Sequence, residues 1–244
     1  MAKYYAFLFL VVILTIGWIF TGLGDKFPYR ETSTAPAIPH AYDDPEVAIQ
    51  DIHITAYYFV AANKAVNARD TSWKEPLTRA LESLVLFHEL QFAGSSHITY
   101  SIHPTAITGN QPNTFYDTDD TGQGNPHALI AIADEIAATG LAPEVPEGTY
   151  PVTYIIYDGV GASGMRVDRS HAALLNRRFL TDPAYTDIRE TLVAHEFYHT
   201  IGIPDGYVLS TGTSTAPDLM GLGRSVRPLK YNYLDRESLR HMGL

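Results

Sequence analysis

The sequence predicts an α+β fold, a mixed α/β domain preceded by one apolar helix. Three features point there. Apolar runs rich in β-branched and aromatic residues are bounded by turn residues, stretches with helical apolar spacing lie between them, and a single uncharged run sits near the N-terminus. With 244 residues, 45% of them hydrophobic, the chain can bury a sizeable core in one domain.

Residues 5–23 read YAFLFLVVILTIGWIFTGL, and a helix of that length spans roughly 28 Å, about the thickness of a bilayer's hydrocarbon core. Residues 1–24 are therefore expected to be a signal anchor that meets the membrane through residues 5–23, or else a cleaved signal peptide. Lys3 favours a cytoplasmic N-terminus, which puts the rest of the chain outside the cytoplasm, either anchored or secreted. Residues 25–50 carry Pro28, Pro36, Pro39 and Pro45 without hydrophobic periodicity and read as a flexible tether. Residues 51–244 form the expected globular domain.

Within that domain, 52–61 and 98–104 read as strands, and 75–92 as an amphipathic helix with Leu77, Leu81, Leu84 and Leu90 in register. Asn125 and Pro126 have the chemistry of an N-cap and first helical residue, with Gly140 as the stop. PVTYIIYDG, 151–159, is the strongest strand signal, and 171–178 reads as an edge strand. The next helix is expected to start at Thr186 or Asp187, where Asp187 and Glu190 have capping-box spacing, and to end at Gly202.

The net charge is -10, which argues against nucleic acid as a partner. There are no cysteines, so disulfides, thiolate ligands and a cysteine nucleophile are excluded, and a metal could be held only by His, Asp, Glu or water.

Residues 195–199 read His-Glu-Phe-Tyr-His, placing His195 and His199 one turn apart on one helical face, within reach of a single tetrahedral cation. Glu196 is rotated beside them as a base that is not a ligand. The run continues as HExxHxxGxxD: Gly202 can turn the chain back so that Asp205 faces the metal as third ligand, leaving a fourth position open. Requiring the glycine and aspartate as well lowers the chance occurrence to about one in ten thousand.

HEFYHTIGIPDGY resembles the zinc signature of the metzincin peptidases, in the form with a third-ligand aspartate seen in snapalysin-like and immune-inhibitor-A-like enzymes. The resemblance covers roughly residues 187–221. It implies a zincin domain with a twisted mixed sheet, a backing helix and an active-site helix. It also implies one catalytic Zn2+, endopeptidase activity on peptides or proteins, Glu196 as general base for water activation, and Met220 in a turn forming an apolar floor beneath the metal. A tyrosine that steadies the oxyanion is also implied, with Tyr207, Tyr231 and Tyr233 as candidates.

Asp117, Asp119 and Asp120 before Gly122 resemble half of a Ca2+ loop, but position twelve is Ala128 rather than a bidentate glutamate, and a solvated acidic loop fits better. The metal centre alone leaves two alternatives open: a zinc aminopeptidase or amidase on a small or cell-wall substrate, and a non-catalytic metal-containing binding module. Glu196 and a three-ligand site argue against the second, because a purely structural site needs no base.

Overall fold

The structure, a computed structural model, describes residues 38–118, 124–141, 145–167, 170–208, 213–214, 217–221 and 226–244. The apolar run at residues 5–23 lies outside them, as do Asp119, Asp120 and Gly122. Among the described residues no helix is long and apolar enough to cross a membrane.

In chain order the elements are β1 (His40–Ala41), β2 (Asp44–Ala48), β3 (Asp51–Val60), α1 (Lys74–Gln91), β4 (His97–Ile102), β5 (Ile107–Thr108), α2 (Pro126–Ala138), β6 (Tyr150–Tyr157), β7 (Ala162–Val167), β8 (Ser170–Asn176), α3 (Arg189–Thr200), β9 (Tyr207–Val208), β10 (Thr213–Ser214) and α4 (Arg236–His241). Among the described residues the main sheet has six strands in the order β4-β3-β6-β8-β7, with β5 also on β3. β4, β3, β6 and β8 run parallel and β7 is antiparallel to β8, so the sheet is mixed.

Side-chain alternation along β3 divides the core. Ile52, Ile54, Ala56, Tyr58 and Val60 face one way, onto Leu77, Leu81 and Leu84 of α1 and Val193, Ala194 and Phe197 of α3. Tyr57 and Phe59 face the other way, onto Leu129, Ile132 and Ile136 of α2. A parallel strand covered by helices on both faces must be apolar throughout, which is why DIHITAYYFV reads as a nearly unbroken run.

α2 starts as its sequence foretells: Asn125 Oδ1 accepts from Ala128 N, Pro126 follows, and Gly140 takes a positive φ of 69° beyond the end. Other expectations fail. Residues 171–178 are not an edge strand, because β8 is paired on both sides and the edge belongs to β7. The capping box at Asp187 and Glu190 does not form. Asp182 instead caps a 3-10 turn at Pro183–Tyr185, and α3 starts at Arg189 behind Ile188, which offers no side-chain cap. Residues 38–50, within the stretch read as a tether, carry β1 and β2 and bury Ala41 and Ile49.

One buried polar chain joins α3 to α1. The Ser96 hydroxyl donates to the Ile49 carbonyl, so its oxygen accepts from His88 Nε2 at 2.8 Å, and His88 Nδ1 is left to accept from the Tyr198 hydroxyl at 3.2 Å. Burial, with a smaller contribution from His97, pushes the His88 pKa down to about 3. Unfolding returns this imidazole to its ordinary value near 6.5, so from there down to about pH 3 the unfolded chain binds a proton that the folded one refuses. Stability is therefore full above about pH 6.5 and falls on acidification by up to about 1.4 kcal/mol per pH unit. Urea unfolding from pH 7 to 4 should give a steeper pH dependence for wild type than for His88→Gln; equal slopes would count against this assignment.

Candidate metal centre

α3 presents its apolar side to the sheet and its histidines to a cleft. Two sheet tyrosines fix its height: the Tyr154 hydroxyl donates to Val193 O at 3.1 Å and the Tyr150 hydroxyl to Thr200 O at 2.6 Å. The helix then stops as expected at Gly202, with φ of 91°; a Cβ at Gly202 would also overlap Asp43 Oδ1. Ile203 N returns to Tyr198 O at 3.2 Å, turning residues 203–205 back toward the histidines.

The sequence motif thus closes in space. His195 Nε2 and His199 Nε2 are 3.2 Å apart, and Asp205 Oδ1 lies 3.2 Å from the first and 3.3 Å from the second. His195 Nδ1 faces Leu219 O at 3.3 Å and His199 Nδ1 faces Ile203 O at 2.7 Å. A ring nitrogen opposite a carbonyl must carry the proton, so both Nε2 atoms keep their lone pairs and point them at one another and at the carboxylate. Asp205 Oδ1 is accordingly buried with no hydrogen-bond donor.

Three converging acceptors call for a shared cation. A tetrahedral zinc with bonds of about 2.0–2.1 Å needs ligand atoms about 3.3–3.4 Å apart, so the triangle fits one face of that tetrahedron. The electrostatics agree. Burial works against charge on His195, yet Asp205 and Glu196 raise its pKa above the usual imidazole range. Asp205, also opposed by burial, is held below the carboxylate range by the two histidines. Among the described residues this is the one group of three that could hold a metal.

Glu196 borders the cleft beside the triangle but is not part of it. Burial raises its pKa, outweighing the histidines that pull it down. Tyr207 follows Asp205 by two residues, its ring stacked 6.1 Å from that of His195. Burial and then the Asp205 charge, to which its hydroxyl hydrogen-bonds, push the phenol's pKa above its ordinary value. Tyr231 and Tyr233 are 61% and 41% exposed, and neither borders the cavities at the centre.

Met220 is buried in the turn at residues 218–221, bordering the space behind Asp205 and Gly206. Its carbonyl accepts from Gly206 N at 2.9 Å, while Leu219 O takes the His195 bond, so one turn steadies both the Asp205 loop and a histidine. Asp218 holds the turn closed, accepting from Gly221 N at 2.9 Å and Asp235 N at 3.3 Å.

β7 is the other wall. Ala162, Ser163 and Gly164 line a cleft of about 270 Å³ with His195, Glu196, His199, Asp205 and Tyr207. A Cβ at Gly164 would overlap Glu196 O and come within 2.8 Å of His199 Cβ. The obstacle is helix backbone, which cannot yield cheaply. Gly164→Val should cost about 1–3 kcal/mol by overpacking and also widen the cleft. A thermal scan with a peptide assay should show both a lowered Tm and lost activity; an unchanged Tm would place the strand farther from the helix than this.

At Asp117, the described member of the acidic loop, calcium finds no support. Asp117 Oδ1 accepts from the Tyr157 hydroxyl at 2.9 Å and Val160 N at 3.3 Å, and its Oδ2 from Asn113 at 3.2 Å.

No protein-family model matches the chain, and no curated protein matches it by sequence. Among solved structures it is similar to OgpA from Akkermansia muciniphila in two crystal forms. The first has 14% identity over 78% of this chain and 59% of that one, TM-score 0.46, and the second 15% over 85% and 62%, TM-score 0.42. Metalloproteinase-II from Bacteroides fragilis is similar at 14% identity over 81% of this chain and 54% of that one, TM-score 0.41. The chain thus spans less than two thirds of the length of each of these structures.

Proposed function

We propose that this chain is a zinc-dependent endopeptidase with His195, His199 and Asp205 as ligands and Glu196 as general base. The observation that carries the reading is the triangle of lone pairs at the spacing of tetrahedral zinc, with a buried carboxylate beside it in an open cleft. Bound zinc supplies Lewis acidity, which polarises a carbonyl and makes a water nucleophilic near neutral pH. Glu196 takes the proton from the attacking water and delivers it to the leaving amine, a double duty suited to a carboxyl whose pKa lies above the ordinary range. Tyr207, kept protonated by its raised pKa, donates to the developing oxyanion.

The terminal strand β7 borders the centre, and an extended peptide can add to such an edge through main-chain hydrogen bonds. An exo-acting aminopeptidase also needs an acidic group to hold the substrate's α-amine. The carboxylates among the described residues lining this cleft are Glu196 and Asp205, both already committed. This favours cleavage within chains. The proposed setting is extracytoplasmic, with residues 5–23 as the anchor or a removed signal.

Incubation of the full-length protein with casein, followed by mass spectrometry, tests the reading. Internal fragments that vanish with chelator and return with zinc are expected. Stepwise loss of N-terminal residues would move the assignment to an aminopeptidase, and intact casein beside zinc-loaded protein would leave a binding module.

A further inference from the structure

We infer that His88 is a positioning residue for the metal centre: through the Tyr198 hydroxyl it fixes the rotation of α3, and with it the aim of His195 and His199. The inference rests on the proposed metal site.

The apolar contacts of α3, through Val193, Ala194 and Phe197, set its distance from the sheet. The attraction behind such contacts is non-directional, so packing alone does not single out one rotation to within a few degrees. Rotation matters here, because Nε2 atoms on an arm of about 5–6 Å travel about 1 Å for every 10° turned, whereas zinc tolerates about 0.2 Å. Directional bonds must therefore set the angle. Those from Tyr154 and Tyr150 reach backbone carbonyls at Val193 and Thr200, one before His195 and one after His199.

Tyr198 supplies a side-chain bond between them. It lies within the ligand motif itself, fully buried, next to His199 in sequence, and its hydroxyl points to α1 rather than to the sheet. His88 holds that hydroxyl as the middle member of a one-way chain, Tyr198 to His88 to Ser96 to Ile49 O, in which every proton is assigned. The ring is clamped as well, stacked 4.1 Å from Phe92 and edge-on to Phe197 at 6.0 Å. The acceptor that Tyr198 meets is thus fixed in place by α1 and the turn at Ser96, and a helix rotated away from it would leave a buried hydroxyl unpaired.

Glutamine offers the same acceptor and donor as the neutral ring; leucine offers neither. The full-length protein and three variants, Tyr198→Phe, His88→Leu and His88→Gln, would be titrated with cobalt(II). Affinity is read by chelator competition and ligand geometry by the visible absorption band, with thermal stability recorded alongside. Direct partners of ligands are worth about 10–100-fold in affinity, so a group one step further away should be worth about three- to tenfold. Tyr198→Phe and His88→Leu should each lose that much and shift the band, while His88→Gln stays within about twofold of wild type. Combining Tyr198→Phe with His88→Leu should be no worse than the weaker single variant. Tyr198→Phe removes one oxygen and carries the test if His88→Leu does not fold. Wild-type affinity and spectrum in Tyr198→Phe, with or without a lower Tm, overturn the inference, as does a His88→Gln variant as weak as His88→Leu. A wild type that binds no cobalt overturns the metal centre itself.

Discussion

Glu196→Gln should lose about 10² to 10⁴ in cleavage rate and keep its zinc. The carboxylate lies beside the triangle without joining it, so on the proposed mechanism the amide would remove the acceptor of the water proton and leave the three candidate ligand atoms where they were. Glutamine keeps the shape, and with the charge gone the burial that raises the carboxyl's pKa no longer bears on an ion, so folding should be nearly unaffected. The loss belongs in kcat more than in KM, because proton transfer is felt in the transition state rather than on binding. The measurement is peptide turnover and zinc stoichiometry on the same preparation. Turnover above about a third of wild type would contradict the assigned role, since a positioned base is worth far more.

Asp205→Ala should weaken zinc by at least about 100-fold, because full zinc sites hold the ion with about 10–16 kcal/mol and each ligand carries several of these. It leaves two Nε2 atoms 3.2 Å apart with no negative partner. Asp205→Asn keeps an oxygen near the same position but lacks the charge and should fall between the two. Chelator competition across the three proteins gives the order. Undiminished affinity in Asp205→Ala would mean that the third ligand comes from elsewhere.

That His195, His199 and Asp205 come together was legible because their spacing is local. In HExxHxxGxxD two histidines one turn apart and a glycine that must reverse the chain are consequences of helix geometry, and Gly202 reverses it as that geometry demands. The long strands were legible too, since β3 and β6 are buried on both faces, and so was the start of α2, where Asn125 and Pro126 act through neighbours three residues away or fewer.

What escaped depends on distant contacts. ASGMRV in β7 has no apolar rhythm: Gly164 is there because the backbone of Glu196 leaves no room for a side chain, and Arg166 meets Asp43 at 2.6 Å, 123 positions earlier. The short strands β1 and β2 are hidden for the same reason, because this stretch is held across the fold, His40 N donating to Met242 O and Tyr42 N to Ile201 O. Tyr207 could not be preferred over Tyr231 and Tyr233 from sequence, since proximity to Asp205 alone did not tell which phenol faces the cleft. Asp218 looks like any loop aspartate until its partner Asp235 N comes into view. Asp117 shows the opposite case: it has the spacing of a calcium ligand, yet spends its oxygens on Tyr157, Val160 and Asn113.

The most direct measurement is anomalous diffraction at the zinc absorption edge from crystals of the protein grown with zinc. A single strong peak is predicted about 2.0–2.2 Å from His195 Nε2, His199 Nε2 and Asp205 Oδ1, with Glu196 outside bonding distance. A zinc-edge peak bonded to other residues, or none at this triangle, would contradict the account.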